Sequence, residues 1–573
     1  MINKCETQLT DWIKRAFEKA FGSDHDWSWL RVHPATDKQF GDFQCNDAMQ
    51  AARTLRMAPR VIAEAAAAAL PPPAMLTKVE VAGPGFINLT VNPEWLVVQV
   101  ERLARTSNFG IPNVGQGRTV IIDYSSPNVA KPMHIGHIRS TIIGAAIDRL
   151  HRALGYQVIA DNHLGDWGTQ FGILIQGYRS CLTEEERENL TVDLLERAYV
   201  TSYNKTKDEE GWLEGCRAEL VKLQQGDQEN RAVWERFIAI SLDEFDRIYK
   251  RLGVSFDLYR GESYYHDSLA ETIALLKEQG LAEESEGALV VKLEAEGLPL
   301  CIVRKSDGGF NYAATDIATV RSRIKEFHPE KIVYVTDERQ QLHFKQFFTV
   351  CQKLGYEAVL EHVWFGLMRL PEGTFSTREG NVIKLEVLLD EAERRALKII
   401  KGSERDIPEK AQKSLAAQIG ISAIKYADLS HDPQTLITFT WEKALALEGN
   451  SGPYLQYAYA RVCSLLDKYT ESVSDKDPLS NTLLLNTAVE RELVLKLLQF
   501  PQSVLRAAES YKPNVLADYL FTLAQLYSSF YQSSPVLKAE DTVRDSRIKL
   551  CAMVAQALSV GLNLLGISTP RRI

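Results

Sequence analysis

The sequence lacks several patterns that would place a chain in a common class. Its eight cysteines form no Cys-x-x-Cys pair, which argues against zinc and suits reduced thiols that behave as small hydrophobic residues. It has no Gly-Lys dipeptide and no Gly-x-Gly-x-x-Gly string, so the usual phosphate loop and the dinucleotide fingerprint are absent. No apolar run could span a membrane, and the N-terminus has no signal-peptide core. We therefore expect a cytoplasmic protein with no zinc and no membrane partner.

The charge of the chain is acidic and unevenly spread. The 573 residues carry a net charge of −9, which at first argues against a nucleic-acid partner. Residues 451–573 differ, because they hold 13 Lys or Arg against 11 Asp or Glu. This segment repels a polyanion least, although it has no basic stripe, so charge alone decides nothing. The length predicts three or four domains.

Hydrophobic periodicity predicts a small α+β unit followed by an α/β sheet. In residues 1–110 an N-terminal helix and the helical run FGDFQCNDAMQAARTLRMAPRVIAEAAAAALP precede two short strands around Gly83-Pro84-Gly85. A linker rich in Gly, Asn and Pro spans 108–117. After it, TVIIDY is a continuous apolar run, typical of a strand buried on both faces of a parallel sheet. With a helix at 135–154 and the strand YQVIAD it predicts a βαβ unit.

The rest of the chain alternates between strand and helix patterns before it becomes helical. Residues 182–253 are charged, mostly helical in pattern and free of strand signals, which predicts a helical insertion in the sheet domain. From Ile407 onward nearly every segment reads as an amphipathic helix, which predicts an all-α bundle. Further strands are predicted at 288–293, 331–337 and 362–366.

An unusual set of residues lies where the first sheet strand passes into its helix. The stretch DYSSPNVAKPMHIGHIRSTIIG, 123–144, places Lys131, His134 and His137 at the start of the helix. In a βαβ unit this end lies at the carboxyl edge of the sheet, where the helix dipole and unpaired N–H groups favour anions. Two histidines three residues apart share a face and could donate to phosphate oxygens, while Gly136 lets a flat ring approach the backbone. These residues predict a nucleotide triphosphate site; the alternative is that the histidines only cap the helix.

The tetrapeptide His134-Ile135-Gly136-His137 is identified as the signature of class I aminoacyl-tRNA synthetases. Its surroundings, SPNVAKPMHIGHIRSTIIG, resemble the arginyl-tRNA synthetase form, and FGDFQCNDAM and AGPGFIN resemble the N-terminal domain of that family. SGPYLQYAYARV at 451–462 and the final ALSVGLNLLGISTPRRI are similar to its helical anticodon-binding domain. The resemblance therefore covers nearly the whole chain.

The resemblance implies a multidomain α/β protein that joins L-arginine to tRNA. It implies an N-terminal α+β domain that contacts the tRNA elbow (1–112), a Rossmann-type parallel-sheet catalytic domain (113–404) with a helical insertion at about 182–253, and an all-α anticodon-binding bundle (405–573). The expected partners are L-arginine, ATP with Mg²⁺ as substrate, and tRNA(Arg). No prosthetic group and no metal held by protein side chains are expected, and we expect a monomer. Arginyl enzymes of this kind typically activate the amino acid only with tRNA bound.

One departure from the family pattern concerns its second signature, Lys-Met-Ser-Lys-Ser. The corresponding stretch here, Phe375 to Asn381 (FSTREGN), lacks the usual second lysine. Many arginyl enzymes show this loss together with a lysine just before the histidine tetrapeptide, and one ammonium near the pyrophosphate could come from either loop. The resemblance therefore implies a catalytic set of Lys131, His134, Gly136 and His137. It implies ATP binding by His134, Gly136, His137, Ser376, Thr377 and Arg378.

A second cluster predicts the amino-acid pocket. Tyr312 and Asp316 lie four residues apart at the start of a helix, so the ring and the carboxylate share a face. A carboxylate can accept both N–H groups of a guanidinium fork, which arginine selection requires. The alternative for Asp316 is a solvated residue or an ion pair with Arg321. By resemblance, the arginine site is completed by Ser126, Pro127, Asn128, His137 and Gln340.

Tyrosines of the C-terminal segment are candidates for RNA contact. Eight fall between 451 and 573, and aromatic faces stack on unpaired bases. Most tyrosines on helices are core residues, so we expect only two or three of the eight to contact RNA. The candidates are Tyr454, Tyr457 and Tyr459.

Two other functions stay open at this point. One is a class I synthetase for another amino acid, which would not need the Tyr312 and Asp316 pair if its substrate were neutral. The other is a non-catalytic tRNA-binding paralogue, which should have lost Lys131 or a signature histidine.

Overall fold

The N-terminal part of the chain is a four-stranded antiparallel sheet packed on helices. The computed structural model describes residues 2–35, 37–370, 373–374, 383–402, 408–473 and 477–573. The first elements are α1 (Ile2–Phe21), β1 (His33–Pro34), β2 (Phe43–Cys45), α2 (Ala48–Leu55), α3 (Pro59–Ala69), β3 (Leu76–Ala82), β4 (Phe86–Val91) and α4 (Pro93–Ala104), with a 3₁₀ turn at Lys38–Phe40. The strand order is β1-β2-β4-β3. The expectation of continuous helix from residue 40 is wrong at β2, whose three buried residues pair with β4.

A five-stranded parallel sheet forms the middle of the chain. Its first βαβ unit is β5 (Thr119–Asp123), α5 (Ile135–Ala153) and β6 (Gln157–Asn162), as predicted. The elements that follow are α6 (Thr169–Cys181), α7 (Glu184–Glu188), α8 (Val192–Asp208), α9 (Trp212–Gln224), α10 (Gln228–Leu252), β7 (Leu258–Tyr259), α11 (Leu269–Glu278), β8 (Ala282–Ser285), β9 (Ala288–Val291), β10 (Cys301–Arg304), α12 (Tyr312–Phe327), β11 (Lys331–Asp337), α13 (Gln341–Lys353) and β12 (Val359–Phe365), with 3₁₀ turns at Glu262–Ser268, Glu294–Glu296 and Glu338–Gln340. The sheet order is β12-β11-β5-β6-β7, with all neighbours parallel. The order reverses between β5 and β11, and the crevice at such a switch point is where open α/β sheets bind ligands.

The strand predicted at 288–293 lies outside this sheet. It is β9, which forms a separate antiparallel sheet in the order β10-β9-β8. β8 and β9 are joined by Glu286 and Gly287, whose φ angles are +50° and +77°. Two consecutive left-handed residues make a tight hairpin turn, which holds the two strands antiparallel.

The predicted helical insertion corresponds to α7 to α10, between the second and third strands of the parallel sheet. Two glycines of α6 let these helices approach closely. A Cβ on Gly172 would lie 2.3 Å from the carbonyl oxygen of Cys216 in α9, and one on Gly177 would lie 2.4 Å from that of Ala198 in α8. Backbone contact at both points fixes α8 and α9 against α6.

Helices dominate the chain after the parallel sheet. The elements are β13 (Met368–Leu370), β14 (Gly373–Thr374), α14 (Leu385–Lys401), α15 (Glu409–Leu429), β15 (Ile437–Thr438), α16 (Trp441–Ala444), α17 (Gly452–Ser472), α18 (Ala488–Leu498), α19 (Phe500–Glu509), α20 (Asn514–Ser533) and α21 (Asp541–Leu564), with a 3₁₀ turn at Pro478–Ser480. The predicted bundle is confirmed, except that β15 pairs in parallel with β13. Within the described ranges, no helix combines the length and the apolar character that crossing a membrane requires.

Ion pairs with little exposure join the parts of the molecule. Arg139 of α5 is 2% exposed, and its Nε and Nη2 donate to the carboxylate of Asp428 in α15 at 2.9–3.1 Å. Arg491 of α18 donates through Nε to Asp42, which lies just before β2, at 3.1 Å. The helix that carries the histidine tetrapeptide is thus bound to the C-terminal helices, and those helices are bound to the N-terminal sheet.

Candidate active site

The two histidines of the signature cap helix α5 with one nitrogen each. Gly136 N–H donates to Nδ1 of His134 at 3.0 Å, and His134 N–H donates to Nδ1 of His137 at 3.1 Å. The imidazole rings lie 3.9 Å apart between centroids. A Cβ on Gly136 would lie 2.8 Å from Cε1 of His134, so the ring that approaches the backbone at this glycine is the imidazole itself. Both histidines therefore cap the helix, which is the alternative role that the sequence allows.

Capping also determines what the other nitrogens of these rings can do. Because each Nδ1 accepts a hydrogen bond, a neutral ring must carry its proton on Nε2. Burial lowers the pKa of His134, and the positive charges of Lys131 and Arg339 lower it further. Burial lowers the pKa of His137 to about 3, with the charge of His134 contributing. Both rings are thus neutral near pH 7, and each offers one Nε2–H donor with its tautomer and orientation held by the helix.

Positive charge near the imidazoles comes from neighbouring side chains. Lys131 lies in the preceding loop, and Arg339 lies in the 3₁₀ turn after β11. Arg339 is held by Asp337, which accepts from its Nε at 2.7 Å and from its Nη2 at 3.1 Å. Neutral N–H donors, two cations and a helix N-terminus together suit a polyphosphate. Arg339 could not be predicted from the sequence, because it is far from the histidine signature along the chain and only the fold brings the two together.

The loop between β5 and α5 has an unusual backbone. Ser125, Ser126 and Ala130 have φ angles of +72°, +46° and +62°. Non-glycine residues in this region cost about 1–3 kcal/mol each, and such strain clusters at functional sites. Helix α10 holds the loop: the hydroxyl of Tyr249 lies 2.8 Å from Ser125 Oγ, and Ser241 Oγ accepts from Ala130 N–H at 2.9 Å. The loop that carries Lys131 is therefore shaped partly by the helical insertion.

The segment after the second signature contacts the first signature directly. Ile135 N–H donates to the carbonyl of Ile383 at 3.2 Å, and Leu385 N–H donates to the carbonyl of Met133 at 2.9 Å. Lys384, between them, pairs with Asp193 of α8 at 2.5 Å. The predicted ATP-binding residues Ser376, Thr377 and Arg378, like the rest of Phe375 to Asn381, lie outside the described residues. The adjoining segment nevertheless forms a short antiparallel bridge with the start of α5.

Tyr312 and Asp316 share one face of α12, as their spacing predicts. Tyr312 is 66% exposed, while Asp316 is partly buried and its Oδ2 lies 2.6 Å from Nε2 of His343. The suggested ion pair between Asp316 and Arg321 is absent, because Arg321 pairs with Glu271 at 2.5 Å. One carboxylate oxygen of Asp316 is thus engaged by His343.

A second carboxyl group, Glu262 in the 3₁₀ turn after β7, lies near enough to Asp316 to be affected by its charge. Burial raises the pKa of Glu262 to about 8, and the negative charges of Asp316 and Asp166 contribute to the rise. Burial also raises the pKa of the Tyr312 phenol, with the charge of Glu262 contributing. Groups that shift one another's pKa lie near one another, and two carboxyl groups beside an aromatic ring suit a cationic side chain. Glu262 could not be predicted as a site residue, because the stretch Gly261-Glu262-Ser263 follows no recognisable period or motif.

The other residues predicted for the arginine site lie at the same edge of the sheet. Ser126, Pro127 and Asn128 follow the carboxyl end of β5, and Gln340 follows that of β11, across the switch point. The hydroxyl of Ser126 donates to Asp123 Oδ1 at 2.9 Å, while Pro127 is buried. Asn128 and Gln340 are exposed. Among the residues that the structure describes, no group of three or more His, Cys, Asp or Glu could hold a metal ion, and the absence of zinc stays a prediction.

Comparison with known proteins assigns the chain to a family. The family model described as tRNA synthetases class I (R), catalytic domain, matches residues 99–441. The models for the arginyl tRNA synthetase N terminal domain and the DALR anticodon binding domain match residues 7–91 and 455–573. The arginine–tRNA ligase of Fusobacterium nucleatum is 42% identical over 563 residues, which cover 98% of each chain. The chain belongs to the arginyl-tRNA synthetase family.

Further members of the arginyl-tRNA synthetase family are similar over their full length. The arginine–tRNA ligase of Alcanivorax borkumensis is 41% identical over 559 residues, 95% of each chain. The arginyl-tRNA synthetase structure from Thermus thermophilus superposes with a TM-score of 0.81 at 26% identity, over 99% of this chain and 100% of that one. The Plasmodium falciparum structure gives the same TM-score and identity over 99% of each chain. The expected fold class of the family is therefore confirmed.

The tyrosines predicted to contact tRNA differ in how much of each ring is free. All three lie on α17, and Tyr457 and Tyr459 fall within residues 455–573, which match the anticodon binding domain. Tyr457 is 37% exposed, whereas Tyr454 is partly buried against Phe521 with ring centroids 5.7 Å apart. Tyr459 is 8% exposed, so its ring has little surface on which a base could stack. Burial thus argues against Tyr459 and leaves Tyr457 as the best placed of the three.

Proposed function

We propose that this chain ligates L-arginine to its cognate tRNA at the expense of ATP, through an arginyl-adenylate. One observation carries the proposal: the histidine pair at the start of α5, after β5, and Asp316, held by His343 in α13 after β11, belong to the two strands that flank the switch point of the parallel sheet. A class I synthetase for a neutral amino acid would gain nothing from paired carboxyl groups in its pocket. A non-catalytic paralogue would have no need of two oriented imidazole donors.

The anion site would bind the phosphates of ATP, which arrives with Mg²⁺ as part of the substrate. His134 and His137 would donate through Nε2 to phosphate oxygens, and Lys131 and Arg339 would stabilise the charge that develops on the leaving pyrophosphate. Gly136, which is exposed, remains part of the proposed ATP site by family resemblance. Ser376, Thr377 and Arg378 remain part of the proposed ATP site by family resemblance.

The carboxyl pocket would bind the guanidinium of arginine. Asp316 keeps one carboxylate oxygen beyond its contact with His343, and Glu262 becomes a second acceptor once it is ionised. The ring of Tyr312, largely exposed above them, could cover the planar cation. Ser126, Asn128 and Gln340 would then orient the amino and carboxylate groups of the substrate.

The chemistry consists of two direct transfers. In the first, a carboxylate oxygen of arginine attacks the α-phosphorus of ATP in line, and pyrophosphate leaves. In the second, the 2′-hydroxyl of the terminal adenosine of tRNA attacks the carbonyl carbon, and AMP leaves. The protein contributes positioning and charge stabilisation, and neither step needs a covalent bond to a side chain.

Several finer assignments belong to this proposal. Residues 1–112 would contact the tRNA elbow, 113–404 would carry out catalysis, and 405–573 would bind the anticodon region, with Tyr457 as the first tyrosine to test. We expect the protein to work in the cytoplasm as a monomer, with Mg²⁺ bound through ATP.

An aminoacylation assay tests the proposal. Purified protein, ATP, Mg²⁺ and total tRNA are incubated with each of the twenty amino acids in turn. We expect acid-stable, alkali-labile charging with arginine alone, confined to arginine acceptors. Charging with a neutral amino acid, or no charging at all by a folded protein, would refute the proposed reaction.

A further inference from the structure

The side chain of Lys131 lies against an aromatic ring supplied by the helical insertion. Its Nζ is 5.0 Å from the centroid of the Tyr199 ring, on α8. Glu196 lies one turn earlier on the same helix. Burial raises the pKa of Glu196, and the ammonium groups of Lys384 and Lys131 oppose that rise. The lysine is thus bordered by a ring face and by a partly buried carboxyl group.

The ring that contacts Lys131 is itself supported from behind. Tyr203, four residues later on α8, stacks on Tyr199 with centroids 6.1 Å apart and planes 12° apart. Nζ of Lys207 lies 4.5 Å from the centroid of the Tyr203 ring. Lys131, the two rings and Lys207 therefore form one continuous stack along the helix surface. Such a stack restricts the rotation of the Tyr199 ring.

The helix beneath the stack is also fixed. The close approach of Gly177 to Ala198 places α6 against the residue that precedes Tyr199. At the start of α8, Asp193 binds Lys384, which follows the second signature. The position of the Tyr199 ring is therefore tied both to the insertion and to the segment that contacts the first signature.

We propose that Tyr199 is a positioning residue that holds the ammonium of Lys131 ready for the phosphates of ATP. A lysine side chain has many rotamers, so without a contact to hold it the ammonium would be a poorly placed charge. A carboxylate would hold it but would also neutralise it. A ring face attracts the ammonium through its quadrupole and leaves the net positive charge available. This inference rests on the proposed function, in which Lys131 acts on ATP.

The test is a double-mutant cycle in the full-length protein with tRNA present. The variants are Tyr199→Leu, Tyr199→Phe, Lys131→Ala and the double variant Tyr199→Leu/Lys131→Ala. We expect Tyr199→Leu to slow adenylate formation by about 2- to 30-fold, the range for losing one cation–π contact, with the KM for arginine unchanged. Tyr199→Phe keeps the ring face and should retain the rate. Lys205→Ala, on the same helix but with its Nζ over the ring of Trp212 outside the stack, serves as a control and should also retain it.

The informative comparison is the effect of Tyr199→Leu when Lys131 is already alanine. If the ring acts through the lysine, the second substitution then changes the rate by less than twofold. An equal loss in both backgrounds, or a native rate for Tyr199→Leu, overturns the inference. A native rate for Lys131→Ala instead refutes the proposed role of the lysine. If Tyr199→Leu does not fold, Tyr199→Met completes the same cycle, because the flexible thioether fills the space without a ring face.

Discussion

Glu262 should make the use of arginine depend on pH. In the free protein its pKa is raised to about 8 by burial and by the charges of Asp316 and Asp166, so at pH 7 the group is mostly protonated. A protonated carboxyl group is a poorer acceptor for a guanidinium than the ionised form. Binding of arginine should therefore release a proton, and kcat/KM for arginine should rise with pH until about pH 8 and then level off.

The size of the effect follows from that raised pKa. One pH unit below the pKa, ionising the group costs about 1.4 kcal/mol, a tenfold factor in kcat/KM. A hydrogen bond to a charged group contributes about 1.5–3 kcal/mol, which corresponds to roughly 10- to 150-fold. Glu262→Gln should therefore reduce kcat/KM by roughly this factor above pH 8.5. At pH 7 the reduction in kcat/KM caused by the same substitution should be about ten times smaller. The reason is that Glu262 in the native enzyme is mostly protonated at this pH and must first ionise.

The assay measures initial charging rates at limiting arginine and saturating ATP and tRNA between pH 6.5 and 9. The quantity to plot is the native to Glu262→Gln ratio of kcat/KM, in which the titrations of substrates and of other residues cancel. Glu271→Gln, at an exposed carboxylate that pairs with Arg321, is the matched control, and its ratio should stay flat. A Glu262→Gln ratio independent of pH would refute the reasoning, since it would show that the group is ionised throughout or does not meet the substrate.

Three further predictions concern the same site. Asp316→Asn should raise the KM for arginine steeply, because losing one charge of a partly buried pair costs roughly 3–5 kcal/mol. The native enzyme should also reject citrulline, which is uncharged. An Asp316→Asn variant with a native KM for arginine would show that Asp316 does not bind the guanidinium. Lys131→Ala should slow adenylate formation, measured in single turnovers, by roughly 10²–10³-fold with little change in tRNA affinity. Exchange of labelled pyrophosphate into ATP should be negligible with arginine alone, should appear when tRNA unable to accept an amino acid is added, and should weaken again as salt rises; robust exchange without RNA contradicts this coupling.

The parts of the site that could be predicted are those encoded by local spacing. The βαβ unit follows from continuous apolar runs and a helical period, and the shared face of Tyr312 and Asp316 follows from a separation of four residues. Glu262 and Arg339 could not be found in this way, because only the folded sheet brings them to the site. The placement of β9 in a separate sheet likewise depends on the hairpin turn that precedes it.

The histidine pair shows a different limit. Their spacing predicts a common face, but it does not decide between capping and phosphate binding. The hydrogen bonds at Nδ1 show that the two roles are compatible, because a ring that caps the helix through Nδ1 keeps Nε2–H as a donor for phosphate. Neutrality of both rings could not be predicted either, because it arises first from burial and, for His134, also from Arg339, which is distant in the chain.

The buried ion pair between Arg139 and Asp428 limits where the chain can be truncated. Arg139 lies two residues after His137, yet its counter-ion belongs to α15, well beyond the last strand of the parallel sheet. A fragment that ends near residue 405 would lose the carboxylate of Asp428 and the carbonyls of Pro433 and Thr435, which are most of the acceptors that hold Arg139 next to the signature. A minimal catalytic fragment must therefore extend through α15, so the natural cutting point for truncation lies beyond that helix.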